Sequence, residues 1–176
     1  MRTNSVVIPR PATFTQDTAV AWASGFLAVL AITTVMYLLP AVGLPQVDLS
    51  IWVARLFVSD PVRVAAVGLG VHLVVGLGFA WLYVTQVEPR LAAGPGVSGL
   101  LYGLALWAFA QSVAVPVLGL LGPADAALGL VRPGFLSWRL GLGAAAASLC
   151  AHLSYGFVLG WVYGCRGGGQ CRPVGG

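Results

Sequence analysis

Two histidines, His72 and His152, are the residues of this chain best suited to chemistry, because each stands alone in an apolar segment. An imidazole can donate and accept a hydrogen bond, relay a proton, or ligate a metal or a haem iron. The segments VHLVVGLGFAWLYV (71–84) and AHLSYGFVLGWVYG (151–164) carry the two rings in one register. His72, Leu73, Gly76, Trp81 and Tyr83 of the first recur as His152, Leu153, Gly156, Trp161 and Tyr163 of the second. No other grouping offers catalysis: there is no Ser/His/Asp set, no phosphate-cradling loop and no His/Glu metal motif. The acidic residues Asp17, Asp48, Asp60, Glu88 and Asp125 all fall near the ends of apolar runs, where they read as helix caps or partners of arginine. The expectation is therefore a protein that is not an enzyme and has no metal site.

The segments that must position these rings are membrane helices. The chain is 59% hydrophobic and 8% charged, whereas a soluble domain is about a quarter charged. Four apolar runs, 18–39, 64–84, 97–121 and 140–163, reach the roughly 20 residues that span a bilayer as a helix. Charged residues are confined to their ends, as the cost of a charge at mid-membrane demands. The expected fold is all-α, a polytopic four-helix membrane bundle over 18–165, with an N-terminal tail (1–17) and a Gly-rich C-terminal tail (166–176). The first run is too long for the roughly 7–15-residue core of a signal peptide and reads as a retained span. The arginines divide almost evenly between the two sides, so orientation is weakly specified; the lean is to both termini in the cytoplasm of a bacterial inner membrane. The net charge of +4 is spread over loops, which speaks against nucleic-acid binding. Cys150 reads as a small core residue, and Cys165 with Cys171 is a weak metal signal.

The histidine echo extends into a duplication. Ala21, Gly25 and Thr33 match Gly99, Gly103 and Gln111, and Leu49-Ser50-Ile51-Trp52 resembles Leu136-Ser137-Trp138. Two helical-hairpin repeats follow, about 18–86 and 97–164, parallel because each holds an even number of spans. Asp48 or Ser50 would cap a short interfacial helix with Ile51, Trp52, Leu56 and Phe57 among headgroups and Arg55 in water. Trp81, Tyr83, Trp161 and Tyr163 would form an aromatic belt at the opposite surface.

Residues four apart share a helix face. In the last span that face reads Ala144, Ser148, His152, Gly156, Gly160, Gly164, and in the second span Gly68, His72, Gly76, Ala80. Small residues at this spacing let membrane helices pack closely, so both histidines are expected on packing faces, at one depth. Thr33 or Thr34, and Gln111 with Ser112, would complete a polar layer of Thr34, His72, Gln111 and His152. Three readings of that layer compete. The preferred one is structural, with His, Gln and Thr bonded across helices at about 0.6–2 kcal/mol each. The second is a bis-histidine b-haem or chlorophyll-type pigment, with Arg63 meeting a propionate. The third is a small-solute or proton transporter.

The segment HLSYGFVLGWVYG, with GLLYGLALW (99–107), resembles a family of small four-span prokaryotic membrane proteins, most specifically at His152, Tyr155, Gly156, Gly160 and Tyr163. The resemblance implies the four-span fold and brings no activity, cofactor or site residue with it. The functional expectation is an accessory or assembly subunit, packed in the lipid bilayer against partner helices or its own copy, with no cofactor.

Overall fold

The structure is a computed structural model that describes residues 14–46, 48–121 and 132–165. Among these residues it is helical without strands, and four helices are long and apolar enough to cross a membrane. They are α1 (Phe14–Leu38), α3 (Pro61–Leu82), α4 (Pro95–Phe109), which continues through a π-helical turn (Ala110–Ala114) into α5 (Val115–Leu121), and α6 (Leu142–Gly164). Short α2 (Leu49–Arg55) links α1 to α3. The chain is thus a multi-pass four-helix membrane bundle. The first helix starts at Phe14, inside the stretch assigned to the tail, and the connection 122–131 and both chain ends lie outside the described residues.

Local chemistry sets the starts of α2 and α3. Asp48 caps α2 by accepting from the amides of Ser50 (2.9 Å) and Ile51 (3.3 Å) and from the Ser50 hydroxyl. Asp60 caps α3, accepting from the amide of Arg63 at 3.0 Å, and Pro61 fits the first helical position, where no N–H is needed. In α2 the side facing α3 is buried: Ala54 is enclosed and Ile51 lies on Gly68. Arg55, expected in water, instead has its Nε enclosed without a partner, while Phe57 remains exposed.

Two glycine contacts bring the helices together. Between α4 and α6, Gly99 and Gly103 face Gly156 and Gly160 backbone to backbone: a Cβ on Gly160 would lie 2.7 Å from the Gly99 Cα. Between α1 and α3, a Cβ on Gly25 would lie 2.7 Å from the Ala80 Cβ, and Gly76 meets Val29. The α6 helix packs along both α4 and α1, and α3 along α1 and α2. The fourth side of the bundle, between α3 and α4, is not closed in the same way, so α3 and α6 stand diagonally. Packing is therefore unequal in the two halves, where a two-fold duplication would make it equal. The loop counterparts differ too: Leu49–Arg55 is an α-helix, whereas Leu136 and Ser137 adopt left-handed φ of 51° and 52°.

Tyrosines bridge the wider gaps. The Tyr155 hydroxyl donates to the Gly76 carbonyl at 2.6 Å and ties α6 to α3; that of Tyr102 donates to the Phe79 carbonyl at 2.7 Å and ties α4 to α3. Replacing Tyr155 by phenylalanine should lower stability by about 1 kcal/mol, read as an earlier midpoint in an SDS unfolding titration. Tyr83 and Tyr163, expected in an aromatic belt, are core residues at 0% and 5% exposure; only Trp81 and Trp161 of that set stay half-exposed, and Trp81 stacks on Trp22 at 5.7 Å.

Candidate functional site

The diagonal of α3 and α6 leaves a partly open cavity of about 370 Å³, and both histidines line it. Each comes from near the middle of its helix. Most of the wall is apolar, from Ile32 and Met36 of α1, Val71 and Phe79 of α3, and Leu106 and Phe109 of α4. Its polar groups are few: Asp48 and Ser50 at the start of α2, His72, Ser148, His152 and Tyr155. Asp48 was legible as a cap; its place in this wall was not.

The two imidazoles differ in their surroundings. In His152, Nδ1 lies 2.8 Å from the Ser148 carbonyl oxygen, one turn back on α6, and 3.4 Å from the Ser148 hydroxyl. A carbonyl can only accept, so Nδ1 carries the hydrogen; in the uncharged ring Nε2 then keeps its lone pair. In His72, Nε2 is enclosed and has no hydrogen-bond partner. Neither ring bonds across to another helix among the described residues; the cross-helix bonds come from Tyr102, Tyr155 and Trp107, whose Nε1 donates to the Ala145 carbonyl at 3.2 Å.

The expected polar layer is not assembled. Thr34 points outward and is exposed; its neighbour Thr33 turns back to the Val29 carbonyl at 2.7 Å. Ser112 is also exposed and donates to the Ala108 carbonyl at 2.5 Å. Gln111 is fully buried but serves a different place: its Oε1 accepts from the Ser137 hydroxyl at 2.8 Å, while its Nε2 has no partner. Ser137 is one of the two residues of the left-handed turn. Of the packing glycines, Gly68 contacts α2, Gly76 contacts α1, and Gly156 and Gly160 contact α4.

Among the described residues no group of three or more His, Cys, Asp or Glu could hold a metal ion. Cys150 is an exposed free thiol, Cys165 is disulfide-bonded, and Cys171 lies outside the described residues. Arg63 is exposed at the start of α3 and does not reach the cavity. Compared with protein-family profiles, with curated proteins and with solved structures, the chain matches none.

Proposed function

We propose that this is a non-enzymatic protein of the bacterial inner membrane whose bundle holds a small apolar molecule between α3 and α6. The observation that supports it most is the cavity of about 370 Å³ shared by two histidines inside a mostly apolar wall. Ligand pockets of about 300–1,000 Å³ with a few placed polar groups have this character. The test is to purify the protein from native membranes and analyse extracts by mass spectrometry. The expected result is one small molecule in near-stoichiometric amount, depleted in a His72→Phe/His152→Phe double variant. Recovering only bulk phospholipid from the wild type would end this reading.

The residues present do not fit a b-type haem. Among the described residues no Arg or Lys lines the cavity to meet propionates, and the one charged residue they place in the wall, Asp48, would repel them. A chlorophyll-type pigment, larger still, fits this volume less well. A visible spectrum of the purified protein should accordingly show no Soret or pigment band.

A second reading, an accessory or assembly subunit packed against other membrane helices, is favoured by the outer face of α3. There Gly70 and Gly78 have nothing within 4 Å of an added Cβ, and Val74 between them is exposed. Close approach of a partner helix, or of a second copy, would use such a face. Co-purification of a stoichiometric membrane partner in mild detergent supports it, and an isolated monomer counts against it. The cytoplasmic placement of both termini is part of the proposal and is tested by terminal reporter fusions.

A further inference from the structure

Resting on the reading of the cavity as a ligand site, we propose that its occupant is a neutral apolar molecule bearing a hydroxyl, such as a phenol, a quinol or a long-chain alcohol, whose O–H donates to Nε2 of His152. The hydrogen bond from Nδ1 to the Ser148 carbonyl, at 2.8 Å, is internal to α6, so it persists whether the cavity is filled or empty. It fixes the tautomer that leaves Nε2 as an acceptor. No described residue donates to that nitrogen. An acceptor built into an apolar wall selects for a donor, because a ligand without one leaves it desolvated and unpaired.

Charge narrows the class. Among the described residues an acidic head would find no Arg or Lys in the wall, and it would face the Asp48 carboxylate. That carboxylate is itself engaged by the Ser50 and Ile51 amides and the Ser50 hydroxyl. The rest of the molecule must be apolar, because Val71, Phe79, Leu106 and Leu118 surround it. Access fits a ligand dissolved in the bilayer. Val75 of α3 and Phe109 of α4 line the cavity and are each half-exposed, on the side of the bundle that helix packing leaves open.

The experiment compares two probes, nonylphenol and its methyl ether nonylanisole, which lacks the donor and carries one methyl more, with the full chain in lipid nanodiscs. The expected result for the wild type is about tenfold tighter binding of the phenol, the size of one buried hydrogen bond. In His152→Phe the ratio should fall to about one while the ether binds no more weakly than it does to the wild type. Equal affinities in the wild type overturn the hydroxyl inference and leave the cavity as an apolar ligand site. Tighter binding of nonylbenzoate than of the phenol also overturns it. Saturable binding of none of the probes overturns both readings. The wild-type ratio stands even if the variant fails to fold.

Discussion

Gly156→Leu should leave little folded protein, costing at least about 3 kcal/mol, while Gly78→Leu on α3 should change stability by less than about 0.5 kcal/mol. The contrast comes from what a side chain would meet. A Cβ on Gly156 would stand 2.8 Å from both the Cα and the N of Gly103, and these are backbone atoms that cannot rotate aside. Making room means separating α4 from α6 along a contact that Gly99, Gly103 and Gly160 share. A Cβ on Gly78 meets nothing within 4 Å. In a membrane the loss is not refunded by burying leucine, since lipid tails are as apolar as the bundle interior. SDS unfolding titrations of the two variants beside the wild type read the difference. Equal effects would mean that α4 and α6 do not approach at backbone distance.

That contact was legible because it is periodic. Small residues four apart in α6, and Gly99 with Gly103 in α4, mark facing stripes in the sequence itself. The four apolar runs and the caps at Asp48 and Asp60 were legible for equally local reasons. What failed were statements that depend on rotation about a helix axis. Thr33 and Thr34 are adjacent, and the exposed one was placed in the polar layer. Tyr83 was placed at the lipid interface, yet it opens the π-helical turn Tyr83–Val87 and is buried. A π turn adds a residue to the helical repeat and so shifts every later side chain to a new face. The second π turn, Ala110–Ala114, begins just before Gln111, which pairs with Ser137 instead of joining the histidines. The cavity left no mark in the sequence, because it arises from which helices fail to touch. The histidine register pointed at two rings of similar depth; only the diagonal placement of α3 and α6 shows that they share one space.

The sharpest division between a structural and a binding role for these rings lies in the sign of one stability change. If His72 were interhelical glue, replacing it by phenylalanine would cost about 0.6–2 kcal/mol. Its Nε2 is enclosed without a partner, however, and an unsatisfied buried polar atom costs about 1–3 kcal/mol. Phenylalanine keeps a flat ring of similar size and removes that atom. His72→Phe should therefore stabilise the delipidated protein by about 1–2 kcal/mol. His152→Phe loses only a bond to its own helix, at Ser148, and should change stability by less than about 1 kcal/mol. Both are read as midpoint shifts in unfolding titrations of ligand-free protein. A loss at His72 as large as glue requires would return both histidines to the structural reading. A gain would mean that the bundle carries, in the wall of its cavity, an imidazole that its own packing is better without, as sites that trade stability for binding do.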